Sequence, residues 1–75
     1  MTLKNYFRDR KIHEGYPVMD KKYVLCLLRS SKTKRYKVRQ GWFEDGGIWE
    51  NKEMKNPLQK LENEERWELK EWIYL

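Results

Sequence analysis

The dipeptide Asp45-Gly46 is the strongest constraint on how this 75-residue chain folds. A type I′ turn needs φ > 0 at both central positions, and Asp-Gly accepts that readily. Its flanks, Trp42-Phe43-Glu44 and Gly47-Ile48-Trp49, are rich in aromatic and β-branched residues. The stretch from Arg35 to Asn51 therefore reads as a hairpin, with Glu44 facing Gly47, Phe43 facing Ile48 and Trp42 facing Trp49. Side chains alternate along a strand. Tyr36, Val38 and Trp42 then share one face, and Arg35, Lys37, Arg39 and Phe43 share the other.

A second strand runs over Lys22–Arg29. Its Tyr23-Val24-Leu25-Cys26-Leu27-Leu28 core is apolar on both faces, as suits a central strand covered on each side. Ser30–Lys34 reads as a five-residue loop. That length sets Leu28 opposite Tyr36, Cys26 opposite Val38 and Val24 opposite Gln40. Val24, Cys26, Leu28, Tyr36, Val38, Trp42 and Trp49 then form one face. Leu25, Leu27, Lys37, Arg39, Phe43 and Ile48 form the other. A shift of one residue in the loop reverses the assignment for the first strand.

Helices are expected at two places. Thr2 can cap a short one, with Leu3, Tyr6 and Phe7 on one face, ended by His13-Glu14-Gly15-Tyr16-Pro17, where Pro17 holds Tyr16 extended. Asn56-Pro57 carries a helix-start signature, with Leu58 and Leu61 facing inward as far as about Glu65. The tail from Arg66 fits either period, and its aromatic content favours a strand from about Leu69. The expected fold is α+β: a single domain with a three- to four-stranded antiparallel sheet and one or two short helices. Residues 1–16 form a helix and loop packed on the sheet, and residues 17–75 a β-rich core.

A chain this short buries only roughly 60% of its unfolded surface. Four Trp, five Tyr and two Phe offset the shortage of core volume. The single cysteine, Cys26, cannot form an internal disulfide and fits a reducing compartment. No signal peptide is expected, because the charged residues Met1–Lys11 have no apolar stretch behind them, and the longest apolar run is six residues, Tyr23–Leu28. A soluble cytoplasmic protein is expected, with no membrane partner.

Catalytic chemistry is not apparent. His13 and Cys26 are the only imidazole and thiol, fewer than a zinc site needs, and Cys26 lies mid-strand where a thiolate is disfavoured. Gly46-Gly47 is a turn without the strand–glycine–helix setting of a phosphate cradle. Glu62, Glu64, Glu65, Glu68 and Glu71 read as a solvated carboxylate face. The expectation is a non-enzyme without metal or cofactor.

The net charge of +5 is unevenly spread: residues 1–43 hold twelve Lys/Arg and three Asp/Glu, residues 44–75 five and nine. The basic cluster Lys32, Lys34, Arg35, Lys37 and Arg39 is the clearest binding signal. It can follow a phosphate backbone or meet an acidic protein. Tyr36 and Trp42 point away from Lys37 and Arg39, which disfavours a stacking platform for single strands. The expected partner surface is Arg35, Lys37, Arg39, Phe43 and Ile48, cations at the rim and apolar groups at the tip. A sheet apolar on both sides needs two covers, so a homodimer is also open.

Pro17, Tyr23-Val24-Leu25, Tyr36-x-Val38-x-x-Gly41-Trp42-Phe43, Gly47-Ile48-Trp49 and Trp72-Ile73 together resemble small proteins encoded by bacteriophages and prophages. The resemblance spans about Pro17–Leu75 and departs at the basic N-terminal helix and the Leu58–Glu65 insertion. It implies a compact β-rich domain and a phage setting, and it carries over no catalytic residues. It also implies a protein that binds and modulates or inhibits a host component in the bacterial cytoplasm, such as a defence system. The expected function is thus protein binding, with an acidic host protein as partner. The alternatives are a nucleic-acid-binding accessory protein using Lys32, Lys34, Arg35, Lys37 and Arg39, and a structural homo-oligomer.

Overall fold

The structure, a computed structural model, describes residues 2–15, 21–59 and 64–75. It is all-β. Five antiparallel strands, β1 (His13–Glu14), β2 (Lys22–Ser30), β3 (Tyr36–Glu44), β4 (Gly47–Trp49) and β5 (Trp67–Tyr74), form one sheet in the order β1-β5-β2-β3-β4. The expected α+β class is corrected on this point. Among the described residues, no helix is long and apolar enough to cross a membrane.

Both expected helices give way to tertiary contacts. At the N-terminus only a 3-10 turn forms, Leu3–Asn5. The Thr2 hydroxyl donates to the Glu71 carboxylate at 2.8 Å and the Leu3 N–H donates to it at 2.7 Å, so the segment is pinned by β5 rather than propagated as a helix. Leu3 is buried, Phe7 half-buried, and Tyr6 is turned out to solvent. At Asn56-Pro57 the chain is extended along β4. Pro57 bridges Trp49, Glu50 N–H donates to the Asn56 carbonyl and Leu58 N–H to the Ile48 carbonyl. A proline suits such an outer position because no ladder partner needs its missing N–H. The extended conformation expected at Tyr16-Pro17 and the inward-facing Leu61 lie outside the described residues.

The Asp45-Gly46 turn forms with the expected register, Trp42↔Trp49, Phe43↔Ile48 and Glu44↔Gly47. Asp45 and Gly46 both have positive φ, 53° and 72°. β2 is central, as its apolar run requires, and β5 lies beside it, beginning at Trp67 rather than Leu69.

The β2–β3 register differs from expectation by one residue. Leu27 faces Val38, Cys26 faces Arg39 and Leu28 faces Lys37. The cause is Ser30. Its N–H donates to the Arg35 carbonyl at 2.8 Å, closing the loop one residue later than expected. Its hydroxyl accepts from Lys32 N–H (3.2 Å) and Thr33 N–H (3.1 Å) and donates to the Glu65 carboxylate. Lys34 completes the shorter loop at φ 63°.

This shift decides what is core. Val24, Cys26, Leu28, Phe43, Ile48 and Trp72 cluster on one face, with Leu58, Trp67, Leu69 and Tyr74 packed around them. Leu3, Leu27 and Ile73 form a smaller cluster on the other face, under Phe7, Ile12, Leu25 and Val38. Trp42 and Trp49, expected in the main core, lie on this second face and are half-buried. The Trp42 indole donates to the Glu44 carboxylate at 2.9 Å, and the Trp49 indole to the Glu44 carbonyl at 3.1 Å.

Gly41 lets Leu58 close over the main cluster. A Cβ there would sit 2.9 Å from both Ile48 Cγ2 and Leu58 Cδ1, and 3.3 Å from Cys26 Sγ. Gly41→Ala is expected to lower stability by about 1–3 kcal/mol in urea unfolding, as overpacking does. Leu58→Ala in the same chain is expected to recover part of that loss.

Candidate functional site

β3 is paired along one edge with β2, from Tyr36↔Arg29 to Phe43↔Lys22. On its other edge β4 reaches only Trp42–Glu44. Among the described residues, no strand pairs with the outer edge of β3 from Tyr36 to Gly41. In an antiparallel ladder the hydrogen-bonded residues alternate. The Ser30–Arg35 bond sets the phase, so Lys37, Arg39 and Gly41 bond inward to β2. The backbone groups of Tyr36, Val38 and Gln40 face outward. The side chain of Arg39 confirms the phase, donating to the Val38 carbonyl at 2.7 Å from outside the sheet.

The expected partner residues divide between two environments. Arg35 and Arg39 are exposed, one at the loop and one on the edge. Lys37 is half-buried, its Nζ 4.1 Å from the centroid of the Trp67 ring. It lines a cavity of about 250 Å³ with Glu50, Glu65 and Trp67. Desolvation and then the Arg39 charge lower its pKa, while Glu65 and Glu50 oppose that shift. Phe43 and Ile48 are 1% and 3% exposed. They belong to the main core, and the surface patch expected there is corrected. The same one-residue shift that turned Trp42 and Trp49 outward places Phe43 and Ile48 on the face with Val24, Cys26 and Leu28.

Of the residues expected to meet phosphates, Lys32, Lys34 and Arg35 lie in the β2–β3 loop, and Lys37 and Arg39 on the main-core face. Tyr36 is on the opposite face, as its alternation with them requires. The register adds a cation that sequence reasoning missed. Arg29 stands opposite Tyr36 with its guanidinium carbon 5.4 Å from the ring centroid. The pair Ser30-Ser31 was the available signal, since a serine closing a loop competes for its backbone N–H groups. Along the same face Tyr23 and Trp42 meet edge to face at 4.7 Å, and Lys52 Nζ lies 5.5 Å from the Trp42 ring.

Cys26 and His13 do not form a nucleophile pair. Each stands opposite Trp72 in its ladder, so the strand carrying that indole separates them. His13 stacks on Trp72 at 4.3 Å. Burial pushes the Cys26 thiol up from 9.0 to about 12. Among the described residues, no group of three or more His, Cys, Asp or Glu is placed to hold a metal ion.

In comparisons with known proteins, no family model, curated protein or solved structure matches the chain.

The thiol supplies a pH prediction. Between pH 9 and about 12 the unfolded chain loses a proton that the folded chain keeps. Stability therefore falls as pH rises through that window, by about 1.4 kcal/mol per unit, and the thiol contributes no slope below it. Urea unfolding of wild type and Cys26→Ala at pH 8, 9 and 10 is expected to show this slope only in the difference above pH 9. Native protein at pH 8 is expected to resist a disulfide-exchange thiol reagent until it is unfolded.

Proposed function

We propose that this chain is a non-enzymatic binding protein that works by protein–protein contact through the outer edge of β3. The observation that carries the reading is the open edge itself: exposed Arg35 and Arg39 lie at its start and along it, on a strand whose outward backbone groups lack a strand partner among the described residues. Cations along an edge favour an acidic partner and a fast, salt-sensitive encounter. The resemblance to phage proteins extends the reading to a host protein with an acidic surface, met in the bacterial cytoplasm and modulated or inhibited by the contact. The buried, protonated thiol of Cys26 and its separation from His13 favour binding over catalysis.

A second reading, nucleic-acid binding, draws on the Arg29–Tyr36 pair. It brings a cation and an aromatic ring to one face, near the loop that carries Lys32, Lys34 and Arg35.

Two measurements separate these readings. The tagged wild-type protein is expected to retain a specific protein from a bacterial lysate. The Arg35→Glu/Arg39→Glu variant is expected to lose it, with affinity down on the order of tenfold or more. Equal retention by both forms, or retention of nucleic acid alone, overturns the protein-binding reading. Phosphate binding instead predicts a steep log-linear fall of oligonucleotide affinity with salt, and weakening on Arg29→Ala. No binding to single- or double-stranded oligonucleotides at low salt removes the second reading.

A further inference from the structure

We infer that the occupant of the β3 edge is an extended acidic–apolar strand of another protein, added antiparallel as the next strand of the sheet; the inference rests on the protein-binding reading above. Tyr36, Val38 and Gln40 each turn one N–H and one C=O outward, the arrangement that accepts an added strand. Side chains of that strand would alternate between two unlike surroundings. On the main-core face they would meet Arg39, with Arg35 at the end of the strand. On the opposite face they would meet Val38 and the apolar groove of about 330 Å³ that it forms with Leu3, Tyr6, Phe7 and Leu25. Carboxylates suit the first side and aliphatic groups the second. Lys37 contributes less, because Glu50 and Glu65 already surround it.

The same charges argue against a second copy of the chain. Outward-facing residues pair only with outward-facing residues, so every antiparallel β3–β3 register that pairs two or more of Tyr36, Val38 and Gln40 sets members of the odd-numbered Arg35, Lys37 and Arg39 against one another. Like charges directly opposite destabilise a pair. An acidic strand meets the complementary charge. Arg39 guards the edge meanwhile: its guanidinium occupies the Val38 carbonyl, and a carboxylate drawing it aside would free that carbonyl for the ladder. Cations on an edge block indiscriminate pairing, and here the blocking group is also the recognition group.

The test uses the full chain and a short capped peptide alternating Glu and Val, with an alternating Lys and Val peptide as control. The acidic peptide is expected to bind at low salt and to weaken as salt rises. Amide exchange at Tyr36, Val38 and Gln40 should slow by about tenfold or more, and Lys37 and Arg39, already bonded to β2, should be unchanged. Gln40→Pro removes one outward N–H without touching the β2 ladder and is expected to abolish binding. Arg39→Glu is expected to weaken it and serves as the second variant should the proline perturb the fold. Binding without the alternating protection, or wild-type binding by Gln40→Pro, overturns strand addition and leaves the cationic-surface reading intact. Absence of binding to the acidic peptide also overturns the inference, while the charge-inverted capture experiment judges the broader reading separately. A concentration-dependent dimer in sedimentation that Gln40→Pro dissolves would show the edge to be occupied by a second copy, and would overturn the choice of partner.

Discussion

The sheet depends on the hydroxyl of Ser30. It is 1% exposed, accepts from two N–H groups of the loop that follows and donates to Glu65. A buried hydroxyl left without partners costs on the order of 1–3 kcal/mol, so this set of bonds strongly favours one loop length. Through loop length it sets register, and through register it selects which side chains are core. The main cluster of Val24, Cys26, Leu28, Phe43, Ile48 and Trp72 exists because β2 and β3 meet at this offset.

That dependence explains what the sequence reveals and what it conceals. The Asp45-Gly46 turn was legible because the turn type demands those residues at adjacent positions, and it sets its register locally. The central place of β2 was legible because Tyr23–Leu28 is apolar on both faces. The β2–β3 register was not, because Ser30-Ser31 signals a serine-closed loop without fixing which residue closes it; the decision falls to Glu65, distant in the chain. The two helices failed for a related reason. Thr2 and Asn56-Pro57 carry genuine start signals, but a turn or two of helix is weak alone. Contacts to Glu71 in one case and to β4 in the other prevailed. At the candidate site, Arg35 and Arg39 could be read as exposed cations. The unpaired edge they lie along could not, because it follows from where β4 stops.

The charge asymmetry of the chain also resolves in space. Part of the acidic half is drawn inward to its own chain: Glu71 holds the N-terminal turn, Glu65 the β2–β3 loop, and Glu50 and Glu65 border Lys37. The cations of the β3 edge include Arg35 and Arg39, both exposed. An overall excess of positive charge thereby becomes a directional feature, placed beside the backbone groups that need protection from promiscuous pairing.

β5, the last strand in chain order, is not at the margin of the sheet but between β1 and β2. During synthesis β2 and β3 can zip together early, while the far side of β2, an apolar run, stays open until Trp67–Tyr74 emerges. The ladder then closes across a long sequence separation, which raises contact order and slows folding. The nascent chain thus carries an exposed apolar edge that its finished form lacks, and the interval before β5 docks is when aggregation or a chaperone competes for it.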